Sequence, residues 1–453
     1  MNLPNYFLAD LPADAVLSSA LLAQACDTLR RNRAQFLAHR TTESVVGTLV
    51  GVGAKWMDPD YPLRKLALEQ SEGAAGFGSR TLARGLDAYF SRFTPEEFEA
   101  LLEQDLGDSR KLDQMCPTSA EKMTRRSSMV RAPELLFHIT AGNLPVPVFS
   151  SIVSGLLLRS AQFIKCATGA SFLPRLFAHS IHEQEPKLGA CLEVAEWRGG
   201  NLLLEETLFH EADCITGTGS DEAIAAIKMR VPRRKRFLAF GHKVSFGYVS
   251  AAALSVRNGP KVVSAAASDV VDWNQLGCLS PHVIYVESGG VLSPEKFAEA
   301  LAAELDRMEL LYPRGPVPLE ISAAIASLRS IYELRERATG ETRLWRSKAT
   351  TAWTVIYEAD ARFQFSCLHR FIYVKIVKNL ADALHHAEEI RDHVSTVGIA
   401  VAEDEQAPIA TELARWGASR VCPLGTMQRP PLTWRHDGRP CLSDLVSWTD
   451  WER

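Results

Sequence analysis

From Pro133 onward, short apolar runs alternate with helical patterns, and this alternation leaves few folds open. "ELLFHITA" precedes "VFSSIVSGLLLRS", "QFIKCA" precedes "LPRLFAHSIHEQ", "LEVAEW" precedes "LEETLFHEA", and "DCITG" precedes "SDEAIAAIKMRV", before a final "RFLAFG". Such a strand–helix rhythm predicts a parallel sheet with helices on its faces. Ligands of these sheets bind in loops at the carboxyl ends of the strands. A second α/β stretch runs roughly from Ser245 to Val401. It holds "HVIYVE", a helix opened by Ser293-Pro294, a long helical stretch near Ile321–Arg337, the strand "FIYVKIV", and a helix capped by Asn379. The first hundred residues read as helical. In "FTPEEFEALLEQDLG", Thr94 is placed to cap, Pro95 fits the first helical position, and Glu97 is expected to complete a capping box.

At 453 residues the chain is too long for one ordinary core, so two or three domains are expected. The pattern changes near Lys243–Ser245, which sets the first boundary. A net charge of −4 gives no reason to expect nucleic acid, and "RRKR" has no aromatic-interleaved basic surface beside it. The most apolar segment, Leu144–Leu158, is too short to span a bilayer and holds two prolines, so no membrane span is expected. No charged leader with an apolar stretch opens the sequence, and a cytoplasmic location is the expectation. Nine scattered cysteines without a CxxC pair argue against both a disulfide framework and a zinc site. Each is then either inert filling or a nucleophile.

Cys278 stands apart from the other eight. In "WNQLGCLSP" it follows Gly277 in a tight polar stretch just before an apolar strand, where a thiol can be presented to a cleft. Other chemistry-bearing residues fall at predicted strand ends. Asn143, in "HITAGNLPVP", can donate to an oxygen that gains negative charge or can cap the next helix. Lys165, ending "FIKC", is either a cation for hydroxyls or phosphate, or a solvated lysine. "CITGTGSDEAI" is a glycine-bearing turn into a helix that Ser220 can cap, though Asp221 and Glu222 would repel an anion lying very close. "RVPRRKRF" attracts a phosphate or is merely solvated, and His242 is an acid–base residue or a structural one.

In combination these residues resemble the aldehyde dehydrogenase superfamily, and within it the acyl-CoA reductases typified by the fatty acid reductase of bacterial bioluminescence. "AGNLPVP", "IKCATG", "ITGTGSDEAI", "GHKVSFGYV", "DWNQLGCLSPHVIYVE", "HVSTVGIA" and "LGTMQRPPLTWRHDG" carry the resemblance from about Pro133 to the end of the sequence. It implies an aldehyde dehydrogenase-like α/β fold of two doubly wound domains. Residues 1–243 would be a cofactor-binding domain with a helical N-terminal region, and 244–405 a catalytic domain carrying the nucleophile. Residues 406–453 would be an extension that packs back, oligomerises, or both.

By the same resemblance Cys278 is the nucleophile, and Asn143 with the Cys278 N–H forms the oxyanion hole. Lys165 contacts the adenosine ribose, and Thr216, Gly217, Thr218 and Gly241 belong to the cofactor-binding side. Thr168 stands where common aldehyde dehydrogenases carry a ribose-binding glutamate; a threonine tolerates a 2′-phosphate, so NADPH is the expected cofactor. Ala239 replaces the glutamate that activates water, so a thioester should survive hydrolysis. The superfamily's "ExFGP" segment has no match near "CLHRFIYV". The implied activity is reduction of an acyl-CoA or acyl carrier protein thioester to an aldehyde. A homo-oligomer is implied, and a partner enzyme would supply the acyl group or use the aldehyde. Aldehyde oxidation, acyl phosphate reduction and a non-catalytic acyl-binding subunit are the alternatives.

Overall fold

The structure is a computed structural model that describes residues 3–12, 14–142 and 144–453. The N-terminal region is helical, with α1 (Ser19–Asn32), α2 (Thr42–Met57), α3 (Pro62–Glu69), α4 (Ser79–Phe90) and α5 (Pro95–Leu106). Thr94 caps α5 as the sequence suggests, its Oγ1 accepting from the Glu97 N–H at 3.3 Å. Glu97 does not close a capping box. The Thr94 N–H is already bonded to the Arg92 carbonyl, and the Glu97 carboxylate turns to Arg92 at 3.1 Å and the Leu432 N–H at 3.3 Å.

After the short helix α6 (Ser119–Met123) and strand β1 (Arg126–Arg131), the predicted alternation appears. Strands β2 (Leu135–Ile139), β3 (Ala161–Cys166), β4 (Leu192–Glu196), β5 (Cys214–Thr218) and β6 (Arg236–Phe240) form a five-stranded sheet in the order β4-β3-β2-β5-β6. Every pairing in it is parallel. The connecting helices are α7 (Val146–Leu157), α8 (Phe172–Gln184), α9 (Pro186–Gly189), α10 (Leu202–Glu211) and α11 (Asp221–Arg230).

Side-chain alternation along the strands separates two cores. Phe137 and Phe163 point to the face covered by α1 and α10, with Leu22, Leu29, Leu208 and Phe209. Leu136 and Ile164 point to the opposite face, covered by α7 and α8 and backed by α2, α4 and α5. The strand order reverses between β2 and β5, and the crevice outside their carboxyl ends is where a ligand belongs.

The second sheet has seven strands: β7 (Val244–Val249), β8 (Pro281–Glu287), β9 (Thr342–Arg346), β10 (Thr354–Glu358), β11 (Phe371–Val377), β12 (Val394–Ala400) and β13 (Arg420–Pro423). Their order is β13-β12-β7-β8-β11-β10-β9, and only β9 runs antiparallel to its neighbour. Helices α12 (Gly259–Val271) and α13 (Pro294–Leu311) cover one face. Helices α14 (Leu319–Ala338), α15 (Leu380–His386) and α16 (Gln406–Trp416) cover the other. Asn379 caps α15, and Ser293 caps α13. The last strand, β14 (Ser447–Glu452), returns to pair antiparallel with β1, from Arg126 opposite Glu452 to Arg131 opposite Ser447.

Helix α4 packs tightly against the second sheet's α12–β8 connection at Gly85. A Cβ placed on Gly85 would lie 2.3 Å from the Trp273 ring, and Trp273 is itself packed edge-on against Phe77. Gly85→Ala should therefore lower unfolding free energy by about 1–3 kcal/mol, as overpacking does. Urea unfolding checks this; an unchanged midpoint would mean that the helix and the ring separate freely.

Candidate active site

The loop that carries Cys278 is held in an unusual backbone conformation. Trp273, Asn274 and Gln275 have φ of 53°, 52° and 64°, three successive non-glycine residues in the left-handed region. Each such residue is strained by about 1–3 kcal/mol and persists only where its surroundings over-determine it. Here they do. The Asn274 Oδ1 accepts from Arg370 Nη2 at 2.8 Å and Nε at 3.2 Å, and its amide donates to the Arg314 carbonyl at 3.0 Å. Gln275 donates to the carbonyls of Pro281 at 2.8 Å and Phe371 at 2.9 Å. Asp272 receives Arg84 and Arg429, the latter at 3.1 Å. Arg370 lies in a second left-handed run, Leu368–Arg370, and also donates to Glu309 at 2.7 Å and to the Tyr312 carbonyl at 2.8 Å.

This frame delivers Gly277 and Cys278 to the start of β8. A Cβ on Gly277 would come within 2.9 Å of both Gln428 Oε1 and Leu144 Cδ1, so only glycine lets those two side chains close in. The Ser245 hydroxyl of β7 donates to the Cys278 carbonyl at 2.7 Å and accepts from the Thr396 N–H at 3.1 Å. Six of the nine cysteines are buried; Cys278, Cys367 and Cys441 are partly exposed. Burial pushes the Cys278 thiol up to about 12, with the Asp437 carboxylate adding to it, while the N–H groups of Cys278 and Leu279 pull the other way. At neutral pH the resting group is a thiol.

Cys278 lines a cavity of about 180 Å³ that runs between the two sheets and the N-terminal helices. Thr216 and Thr218, at the end of β5, line it with Cys278. So does His138 of β2, which sequence reasoning missed. His138 Nδ1 lies 2.7 Å from Thr216 Oγ1, and Nε2 lies 3.1 Å from Gln162 Oε1. Gln162 uses its amide N–H on the Ile152 carbonyl at 3.0 Å, so its oxygen accepts the Nε2 proton and Nδ1 accepts from the Thr216 hydroxyl. Burial pushes the imidazole down to about 4, leaving it neutral and the Thr216 rotamer fixed.

The remaining walls are mostly apolar, among them Tyr89, Leu101, Val153, Leu238, Leu432 and Leu445. Residues from 428 to 445 form one side. That segment is tied to α5: Gln104 donates to the Thr433 carbonyl at 2.9 Å, and Asp105 accepts from the Leu442 N–H at 2.6 Å.

Lys165, Thr168, Gly217 and Gly241 do not line the cavity. Lys165 is buried at the carboxyl end of β3, its Nζ 5.9 Å from the Trp197 ring, and burial lowers its pKa against the pull of Glu205 and Glu196. Thr168 is exposed on the loop that follows β3. Glu196, at the end of β4, organises that loop by accepting from the N–H groups of Gly169 at 2.7 Å and Ser171 at 3.2 Å. No local signal marked Glu196. Gly241 makes room for Asp221, whose Oδ1 a Cβ there would approach to 2.4 Å, and that oxygen accepts from the His242 N–H at 2.9 Å. Ser220 caps α11 through the Ala223 N–H at 3.3 Å. Asn143 lies outside the described residues.

The basic stretch is largely structural. Arg230 pairs with Glu205 at 2.6 Å, Lys235 donates to the carbonyls of His210 and Ala212, and Arg236 donates to those of Asp444 and Val446. Among the described residues no group of three or more His, Cys, Asp or Glu is placed to hold a metal, and no helix is long and apolar enough to cross a membrane.

Residues 37–448 match the family described as acyl-CoA reductase (LuxC). Similar curated proteins include a long-chain acyl-protein thioester reductase of Aliivibrio fischeri, 25% identical over 90% of this chain and 82% of that protein. Long-chain acyl-protein thioester reductase 2 of Photobacterium leiognathi is 22% identical over 91% and 83%. Among solved structures, a putative aldehyde dehydrogenase of Anabaena variabilis superposes with a TM-score of 0.69 at 16% identity, covering 96% of this chain and 93% of that one. An NAD-dependent benzaldehyde dehydrogenase of Corynebacterium glutamicum gives 0.69 at 12% identity, covering 96% and 91%. The fold is that of the aldehyde dehydrogenases, as the sequence motifs implied.

Two outcomes are expected of the Cys278 loop. Asn274→Ala removes the acceptor facing a buried guanidinium, so stability should fall by about 1–3 kcal/mol in urea unfolding. With the thiol raised, iodoacetamide labelling of the Cys278 peptide should climb about tenfold per pH unit above neutrality, because the thiolate alone reacts. A labelling plateau near neutral pH would show instead that the thiolate is the resting form.

Proposed function

Because the chain belongs to the acyl-CoA reductase (LuxC) family, we propose that it reduces a long-chain acyl thioester to an aldehyde through an acyl group held on Cys278. The observation that carries this reading is the placement of a strand-entry cysteine, partly exposed, in an apolar cavity bounded by the carboxyl end of β5. The apolar walls suit a fatty chain, and the curated relatives are named for acyl-protein thioesters. The donor is therefore a carrier-protein or coenzyme A thioester.

The residues present suit a nicotinamide dinucleotide. The crevice sits where the strand order reverses, a buried lysine ends β3, and Thr216 and Thr218 face the space that also holds the thiol. When bound, that cofactor supplies the hydride that converts the acyl carbon to the aldehyde oxidation level. Thr168 offers no carboxylate against a 2′-phosphate, which supports NADPH, and Lys165 is assigned to the adenosine ribose. Gly217 makes room for the Phe237 and Ile224 side chains and Gly241 for Asp221, and both glycines are assigned to the cofactor's side of the crevice.

The chain's own residues do the rest. Cys278 Sγ forms a bond to the acyl carbon as the carrier thiol leaves, dividing one difficult reduction into two easier steps. Asn143 and the Cys278 N–H are assigned to the carbonyl oxygen as it gains charge. The carbonyl end of Cys278 is fixed by Ser245, so the sulfur turns about a stationary backbone. Ala239 places no carboxylate at the end of β6, which suits a thioester that must outlast water. The Trp448 and Trp451 rings of β14 are half-exposed and support a homo-oligomeric assembly.

Cys278→Ser should abolish aldehyde formation from acyl-CoA and NADPH, followed by absorbance loss and trapping of the aldehyde. Asn143→Ala should retain activity but lose about 10²–10³ in rate. Replacing NADPH with NADH should lower kcat/KM. Free acid as the main product, or undiminished aldehyde formation by the Cys278→Ser variant, would contradict the proposal.

A further inference from the structure

A second cavity, of about 710 Å³, opens beside the one that holds Cys278. Four guanidinium groups line it: Arg80 and Arg84 on α4, Arg92 just beyond that helix, and Arg429. The spacing of Arg80, Arg84 and Ala88 sets all three on one face of α4. Ala88 and Arg429 line both cavities, so the two are contiguous. The join lies close to the thiol. Gln428 packs against Gly277, which leaves Arg429 and Cys278 each one residue from that contact.

Pairing within the protein neutralises this charge only in part. Asp272, in the loop that carries Cys278, is one carboxylate shared by Arg84 and Arg429. Arg92 is bound to Glu97 at 3.1 Å. Among the described residues Asp87 is the only carboxylate lining the pocket, and Arg64 holds it at 2.7 Å. Arg80 pairs with no described carboxylate; its Nη1 reaches the Leu311 carbonyl at 3.4 Å. The Arg84 side chain is 20% exposed and that of Arg429 35%, so water screens them less than open surface cations. A recess lined by one sign of charge concentrates the opposite ion, and guanidinium forks match phosphate oxygens.

The Cys278 cavity has no such seat of its own. Its Arg439 is bound to Asp444 at 2.9 Å, burial lowers the pKa of both His138 and His436, and most other walls are apolar. Its remaining cation is Arg429, at the join. A thioester donor has the complementary layout. The thiol of coenzyme A or of an acyl carrier protein ends a pantetheine arm whose opposite end is a phosphate ester.

We infer that the arginine pocket holds the phosphate of this pantetheine arm while the acyl chain lies in the apolar cavity. Arg80, Arg92 and Arg429 are then carrier-recognition residues, and Arg84 is a positioning residue that acts through Asp272. The inference rests on the acyl-cysteine reading above. Because Asp272 ties Arg84 and Arg429 to the Cys278 loop, one frame sets both the carrier end and the thiol.

The test compares acyl-4′-phosphopantetheine with acyl-pantetheine, two thioesters of one fatty acid that differ only by the phosphate. Acylation of Cys278 in the full chain is followed by intact mass without nicotinamide, and binding of the two acyl-free thiols by calorimetry. The phosphorylated donor should acylate about tenfold or more faster at low concentration, and its thiol should bind more tightly by a similar factor. Both preferences should shrink as salt is raised. Arg80→Gln combined with Arg92→Gln, which leaves the Asp272 contacts in place, should bring both ratios close to one. The same double variant, given acyl-CoA and an acyl carrier protein in turn, identifies the source. The donor that acylates the wild type and loses rate on the variant is the one whose phosphate the pocket seats. Equal rates and affinities for the two pantetheine donors in the wild type overturn the inference. So does an equal fall on both in the variant, which marks arginines that only support the fold. If Cys278 takes no acyl group from any donor, the acyl-cysteine reading fails, and the calorimetric preference still decides whether the pocket binds phosphate.

Discussion

Asn274 Oδ1 receives two hydrogen bonds from the Arg370 guanidinium, and the presentation of Cys278 depends on that contact. Two left-handed runs, Trp273–Gln275 and Leu368–Arg370, meet there, and neither is a conformation that short polar or apolar segments adopt unaided. Arg370 is about 1% exposed, so losing either partner would strand a buried polar group. The strain in one loop is thus balanced against the desolvation of the other. The result is a thiol fixed at the entry to β8 rather than swept along a mobile connection.

The cavity around that thiol is assembled from distant parts of the sequence. Helices α4, α5 and α7 give its apolar wall, β2 and β5 its polar end, and residues 428–445 its third side. The last of these is held by Glu97 and Asp105 of α5, more than three hundred residues earlier, and by β14 pairing with β1. Those contacts bring Gln428 against Gly277 and the turn at His436 over Phe240. The proposed reaction of a long-chain thioester needs both an apolar channel and a fixed thiol, and the returning segment lines the one and packs against the loop that carries the other.

Much of the fold was legible because its signals are local. The five strands of the first sheet announced themselves as apolar runs, and the caps at Thr94, Ser220, Ser293 and Asn379 lie where their side chains predict. Cys278 was legible for a related reason: a cysteine after glycine at a strand entry is poorly suited to filling a core. The pairing of β14 with β1 was not, since "SWTDWE" is a strand only because Arg126–Arg131 lies beside it. His138 and Glu196 were missed because each reads as an ordinary strand residue. Their roles appear only when Gln162 and Thr216 flank the first, and the loop after β3 turns its N–H groups onto the second. Glu97 shows the reverse case, a good local capping pattern overridden when the Leu432 N–H arrived.

The central claim is that Cys278 carries the acyl group between arrival and reduction. The most direct measurement is a pulse and chase: load the protein with an isotope-labelled acyl thioester, remove excess donor, map the label by peptide mass, and then add the reduced nicotinamide. The account predicts one label per chain on the peptide containing Cys278, discharged into labelled aldehyde on the chase. Label on any other residue, or its release as free acid at the same rate with and without the chase, would contradict it.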